Sequence, residues 1–331
     1  MSSVVLAMDI NLPSAQSCPT VYVLIPCHNN KQDVLALLGC LRTQTYSGMS
    51  VVLVDDGSAD GTGAAVREIS PETTTLHGNG NLWWTGANVL GIEYILDLAQ
   101  PSDFILLLNN DVAVDNNYVQ NILEASVAHA RAIVGSTLYD FHSLRFVESG
   151  IVLDQRLRAS VNRDATSVEK RGFDDHVNVL PGRGMLVPIE VFSAIGTLDC
   201  RRLPHYGADY EFSIRARRAG YKLIVSHRAK VYAKLDVTGL ECPVGKVLSL
   251  RECRELLFSK KSKINIVYYL RYVWLCSDRR WRIRNTIDGA VNIVSLTIGQ
   301  TSIGRFVSVL MLPIRWIVRM PYALFFSKGR D

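Results

Sequence analysis

Three acidic clusters carry residue types from which chemistry can be done. Asp209-Tyr210-Glu211 opens a stretch with helical spacing, and a carboxylate there can act as a general base toward a hydroxyl. Arg215 follows Glu211 by four residues, the separation of a helical ion pair. Asn109-Asn110-Asp111 follows the most hydrophobic run of the chain. A carboxylate at such a strand end can hold Mg²⁺ or Mn²⁺ together with diphosphate oxygens, because these hard cations take oxygen ligands. Asp55-Asp56 ends another apolar run and can accept hydrogen bonds from a ribose or a nucleobase. Each cluster also has a plainer reading. Asp209 satisfies the preference for negative charge at a helix start, Asn-Asn-Asp can be a strand-to-loop cap, and Asp-Asp-Gly-Ser is good turn and N-cap chemistry.

Positioning these groups falls to alternating strands and helices. Apolar runs over 21–25 (halted by Pro26), 51–54 and 104–108 read as buried parallel strands, with a shorter strand near 73–77. Helical spacing covers 33–44, about 61–69 and 86–98. The alternation predicts a parallel sheet with helices on both faces and ligands at the carboxyl ends of its strands, where the Asp and Asn clusters lie. The stretch 133–179 is polar and charged and reads as strands plus a mobile loop. A short helix near 189–195, a helix over 209–219 closed by Gly220 and a strand over 222–225 follow. Glycines at 78, 80, 86, 182 and 184 fall where backbone could approach a ligand, or simply turn. No Walker or Gly-x-Gly-x-x-Gly arrangement follows a strand, and the histidines form no zinc pattern.

Length and composition limit the rest. The 331 residues are 48% hydrophobic, enough for one large core with an appendage. The net charge of +5 is unevenly spread. From Glu241 onward there are 16 Lys or Arg against 6 Asp or Glu, while the first 240 residues hold 20 against 25. Seven cysteines without a Cys-x-x-Cys, and an N-terminus unlike a signal peptide, favour a reducing, cytoplasmic setting. The basic stretch 246–285 interleaves aromatics, and 289–314 is apolar but diluted by polar residues and interrupted by Pro313. This pattern predicts interfacial helices, with Arg279, Arg280, Arg282, Arg284, Arg315 and Arg319 on anionic lipid rather than on nucleic acid. A homodimer interface is the competing use of such a surface.

In order, the motifs Leu24-Ile25-Pro26-Cys27-His28-Asn29, Val54 to Thr62, Asn81-Leu82-Trp83-Trp84-Thr85-Gly86-Ala87-Asn88, Leu108-Asn109-Asn110-Asp111, Pro181-Gly182-Arg183-Gly184-Met185 and Gly207 to Arg215 resemble the family 2 glycosyltransferases. The likeness covers about 20–235. Its Asn-Asn-Asp and Trp-Trp-Thr-Gly forms look most like the rhamnosyltransferase-like branch that builds bacterial surface polysaccharides.

The resemblance implies a GT-A fold: an α/β, Rossmann-like, mostly parallel sheet with helices on both faces, here joined to a C-terminal helical basic and apolar segment. The expected division is an extension over 1–20, a nucleotide-sugar-binding and catalytic domain over 21–240, and a membrane-associating segment over 241–331. The implied reaction is inverting transfer of a sugar from a nucleotide-diphosphate donor (dTDP-rhamnose or a UDP-sugar) to a glycan or lipid-linked acceptor. It would take place at the cytoplasmic face of the plasma membrane. Asp209 matches the base, with Glu211 as its support or an acceptor contact. Asp55 and Asp56 would sit at the nucleoside, Asp111 would hold Mg²⁺ or Mn²⁺, and Gly184 and Met185 would line the sugar pocket. Pro26, Asn29, Asn81, Gly86, Asn109, Asn110 and Gly184 are the other expected donor contacts. The chain departs from the pattern in having one carboxylate in the metal motif. It also has Val231-Tyr232-Ala233 where a late histidine is usual, with His227 six residues before Ala233, and Val89 in place of a frequent asparagine. The alternative these departures motivate is a catalytically silent glycan- or nucleotide-binding subunit of a membrane assembly.

Overall fold

The computed structural model describes residues 18–161, 172–234 and 248–299. Most of the expected N-terminal extension, part of the charged run at 162–171, the expected segment boundary near 241, and the tail with 306–314, Arg315 and Arg319 lie outside the described residues. The centre is four parallel strands in the order β3-β2-β1-β4: β1 (Val21–Cys27), β2 (Met49–Asp55), β3 (Thr74–His77) and β4 (Phe104–Leu107). Beyond β4, β11 (Met185–Pro188) runs antiparallel to it and to β6 (Ile133–Asp140), which pairs in parallel with β12 (Leu223–Ala233). The short strands β5 (Val112–Val114), β7 (Phe146–Glu148) and β10 (Phe173–Asp174) join this half, and β8 (Ile151–Leu153) with β9 (Ala159–Val161) makes a separate hairpin.

Helices cover both faces because alternate strand residues point to opposite sides. Val23 and Ile25 of β1 meet α1 (Lys31–Arg42) and α4 (Tyr118–Ala128) through Val34, Leu37, Leu38, Leu41, Tyr118 and Ile122. Leu24, with Ile105 and Val187, meets α3 (Trp83–Leu96), α5 (Ile189–Ile195) and α6 (Ala208–Arg218) through Ala87, Ile92, Phe192 and Phe212. Helix α2 (Thr62–Ile69) flanks β2 and β3. The C-terminal helices α7 (Leu250–Phe258), α8 (Ile266–Cys276) and α9 (Arg282–Gly299) are not a free appendage. Tyr272, Val273 and Cys276 of α8 share a buried cluster with Leu203 and Ala208, and Arg218 donates to the carbonyls of Leu275 at 3.0 Å and Cys276 at 2.9 Å.

The expected elements are present, with informative differences at their ends. Pro26 does not halt β1: it pairs opposite Val54, and β1 stops pairing with β4 at Leu24, so the missing proline N–H falls where no β4 acceptor is waiting. Strand β12 is far longer than the expected 222–225, because a bulge between Ser226 and Lys230 carries the polar Ser-His-Arg stretch through an otherwise buried strand. Helix α4 lies in a stretch for which no element was expected.

Candidate active site

A cleft of about 760 Å³ opens at the carboxyl ends of β1, β2 and β4, bounded by the N-termini of α3 and α6 and by the turn between α7 and α8. One wall is set by Asp56. Its carboxylate accepts backbone amides from Gly80 at 2.7 Å, Leu82 at 2.8 Å and Trp83 at 3.0 Å. It therefore caps α3 from a neighbouring strand and satisfies amides that no intrahelical carbonyl can reach. This is why α3 begins at Trp83, three residues before the expected start, and how Trp83 is held at φ +59°, a costly angle for a non-glycine residue.

Trp84 forms the floor. Its indole Nε1 donates to Asn109 Oδ1 at 2.9 Å, tying α3 to the end of β4. Gly182 makes room for it, since a Cβ there would stand 2.3 Å from the Trp84 ring. The Gly182 amide donates to Asp209 Oδ2 at 2.9 Å and the Tyr210 amide to Oδ1 at 2.9 Å, so Asp209 is fixed against the floor. Burial pushes the Asp209 carboxyl above its usual range, against the pull of these amides and of Arg183. A carboxylate held this way is a better proton acceptor than an ordinary aspartate at neutral pH. Gly207, at φ +81°, starts α6 where a side chain would strike Tyr272 at 2.8 Å, so only glycine lets α8 close on the helix that carries Asp209.

Trp83, His205 and Tyr206 complete the far wall. The rings of Trp83 and His205 meet edge-on at 5.3 Å, and burial pushes the His205 pKa down to about 4, leaving it neutral. Among the described residues, neither Trp83 Nε1 nor His205 Nδ1 has a hydrogen-bond partner. A buried polar group left without a partner costs about 1–3 kcal/mol.

Of the expected site residues, Pro26, Asp56, Asn109, Asn110 and Asp209 line the cleft. The rest do not line it. Asp55 is buried and accepts the Ser58 amide at 2.9 Å, the turn role weighed for that cluster. Asn29 accepts the Ala59 amide at 2.7 Å and donates to His28 Nε2 at 2.8 Å, while His28 Nδ1–H donates to the Asp56 carbonyl at 2.6 Å. Both ends of the Asn29 amide are thus spent joining two loops. Asn81 is exposed on the loop before α3, and Gly86 packs against Leu82 within α3. Gly184 accepts from Ser136 Oγ at 2.8 Å, and Met185 is fully buried in the core. Glu211 turns from the cleft to Arg215, whose Nε and Nη2 lie 3.0 Å from it and whose Nη2 also donates to the Thr197 carbonyl at 2.8 Å. It supports α6 and does not line the cleft. His205, Tyr206, Lys261 and Lys263 line the cleft but were not among the expected residues. The lysines were read as part of the lipid-facing tail, and Pro204-His205-Tyr206 ahead of Gly207 was the available signal for the aromatic wall.

Asp111 stands just behind Asn110, outside the residues that line the cleft, with Arg183, Asp33 and Lys234 as its charged neighbours; burial pushes its carboxyl up. Among the described residues no group of three His, Cys, Asp or Glu gathers, and His227 is buried at the β12 bulge and does not line the cleft. Residues 231–233, where a late histidine was sought, do lie beside β5, with Ala233 opposite Val112. Among the described residues the Asn-Asn-Asp motif thus offers a hard cation one carboxylate, which fits Mg²⁺ or Mn²⁺ only if diphosphate oxygens and water complete the shell, the usual pattern for Mg²⁺.

The glycosyl transferase family 2 model matches residues 22–192. Uncharacterized proteins of Mycobacterium tuberculosis and Mycobacterium bovis are 26% identical over 153 residues, which are 46% of this chain and 53% of theirs, so the chain spans about half the length of the curated relatives it matches. Among solved structures, GalNAc-T7 with UDP, GalNAc and Mn²⁺ superposes with a TM-score of 0.56 at 12% identity, over 83% of this chain and 55% of that one. The mannosyltransferase PcManGT of Pyrobaculum calidifontis with GDP-Man and Mn²⁺ gives 0.52 at 14%, over 92% and 85%. S. aureus TarS 1-349 with UDP gives 0.52 at 12%, over 85% and 90%. At such identities the likeness is one of fold, and the fold is that of the GT-A glycosyltransferases. With a family model that spans β1 through most of α5 and takes in the strand ends that build the cleft, the chain belongs to glycosyl transferase family 2.

Proposed function

We propose that the protein is an inverting glycosyltransferase that uses a nucleotide-diphosphate sugar. The observation that carries this reading is Asp209, a carboxylate fixed at the cleft floor by the Gly182 amide and raised by burial toward the basicity the reaction needs. In the proposed step the acceptor hydroxyl gives its proton to Asp209 as its oxygen attacks the anomeric carbon. The bond from that carbon to the diphosphate oxygen breaks on the opposite side, and the nucleoside diphosphate leaves. Asn109, Asn110 and the Asp56-held loop bound the space for the donor. Asp111 would hold Mg²⁺ or Mn²⁺, whose charge offsets that developing on the diphosphate. The Mn²⁺ complexes of GalNAc-T7 and PcManGT support a divalent metal in the reaction.

The rhamnosyltransferase-like motifs favour dTDP-rhamnose or a UDP-sugar as donor and a lipid-linked or glycan acceptor of a surface polysaccharide, with catalysis in 21–240 at the inner face of the plasma membrane. No helix among the described residues is long and apolar enough to cross a membrane. Contact with anionic lipid is proposed through α9, where Ile283, Ile287 and Val291 form an exposed stripe at intervals of four, 70%, 59% and 46% exposed. Beside it Arg282 packs over Trp274, and Arg280 and Arg284 over Trp281.

The test is nucleotide binding and turnover together. UDP, dTDP, GDP and CDP are screened by thermal shift with and without Mn²⁺ or Mg²⁺, then Asp209→Asn is assayed with the sugar form of whichever binds. The expected result is one preferred nucleotide, binding retained in Asp209→Asn and turnover abolished. Turnover retained by that variant would remove Asp209 from the base role. Binding without transfer by the wild-type chain would favour the silent-subunit alternative.

A further inference from the structure

We infer that Lys261 and Lys263, on the turn between α7 and α8, grip the diphosphate of the nucleotide donor, so that the C-terminal segment carries part of the donor site. The inference rests on the transferase reading above. The backbone of the turn is held by local hydrogen bonds and by burial of alternate residues. Ser262 and Ile264 face inward, 2% and 3% exposed. Asn265 donates from Nδ2 to the Ser259 carbonyl at 3.1 Å and accepts the Val267 and Tyr268 amides at the start of α8. With alternate residues buried, Lys261 and Lys263 share the outer side, and both line the cleft.

The turn touches the far wall of the cleft at two points. At one, Lys260 Nζ lies 5.8 Å from the centre of the Trp83 ring. At the other, the Tyr206 hydroxyl donates to the Lys261 carbonyl at 3.5 Å, three residues before Asp209 at the reacting end. In a nucleotide sugar the diphosphate carries the negative charge, and two lysines that line the cleft are suited to meet it. The charges on the cleft wall fit the same assignment. Asp56 is committed to backbone amides, Arg183 pairs with Glu148 at 3.0 Å, and His205 is neutral. Lys261 and Lys263, both lining the cleft, add positive charge to it. Lysines there would bind the ground-state diphosphate through charge-assisted hydrogen bonds and stabilise it further as its bond to the sugar breaks.

The experiment is calorimetric titration of the full-length chain, wild type and K261A/K263A, with UDP and dTDP and with their nucleosides, each with and without Mn²⁺. We expect the double variant to bind the preferred diphosphate at least about tenfold more weakly, with nucleoside affinity unchanged and most of the loss restored in K261R/K263R. Unchanged diphosphate affinity in K261A/K263A overturns the inference and leaves the transferase reading standing. A parallel loss of nucleoside affinity also overturns it, because the turn would then act only by shaping the cleft. If the wild-type chain binds no nucleotide, the transferase reading fails and this inference falls with it.

Discussion

Asp209 shows how one side chain is tuned by what surrounds it. Two backbone amides favour its charged form, yet burial outweighs them and the carboxyl is raised. Catalysis needs the unprotonated form, which disappears as pH falls through the raised value. The acid limb of kcat/KM should therefore lie above the ordinary aspartate value near 4, and a limb at or below that value in a pH-rate profile would contradict the assignment. Linkage runs the other way for stability. A carboxyl whose pKa is higher folded than unfolded stabilises the fold below its unfolded pKa and loses that contribution as pH rises through the folded one. Asp209 is thus kept charged at neutral pH at some cost to the fold, as a functional residue often is. Its type and place were legible in the sequence. Its environment was not, because Gly182 and Arg183 arrive from a loop some 27 residues away.

At the scale of elements, the β2–α2 and β3–α3 connections act as one unit through Asp56. The sequence offered two uses for this aspartate, ligand contact or cap, and the carboxylate caps a helix that begins 27 residues later. Asp56→Ala would strand three amides at once and release Trp83 from its strained angle. We expect a loss of about 2–4 kcal/mol, read by urea denaturation, together with loss of nucleotide binding. A stability within 0.5 kcal/mol of wild type, about the spread of surface substitutions, would mean that water replaces the carboxylate at no cost. Helix starts were misplaced in the sequence reading for this same reason: no local residue caps α3. The β12 bulge was missed because His227 and Arg228 break the apolar run on which strand recognition depends.

The whole molecule joins a cleft to a basic helical face. Helix α8 packs on α6 through Tyr272 and Cys276, so lipid contact by the neighbouring α9 would orient the cleft toward an acceptor held in the membrane. Ile283→Asp with Ile287→Asp should cut sedimentation with phosphatidylglycerol vesicles severalfold while leaving nucleotide binding unchanged, because both side chains point away from the core. Undiminished vesicle binding, or a wild-type dimer that dissociates in this variant, would reassign the stripe to a contact between copies.

The sequence by itself determined the alternation of strands and helices, the family motifs, and the presence of acidic and amide residues at the strand ends. Those features depend on local periodicity and on short segments that keep their meaning wherever the chain places them. Tertiary structure alone decided which of these residues reach the cleft. Asn29 looks like a ligand in a linear reading, but its amide oxygen is taken by the Ala59 amide of a distant loop, while Asp55 and Glu211 take the local turn and ion-pair partners that the sequence also offered. Lys261 and Lys263 look like tail residues, and the packing of α8 on α6 brings them to the cleft. Local pattern sets what an element is, whereas the partner of a polar side chain is chosen by elements distant in the chain.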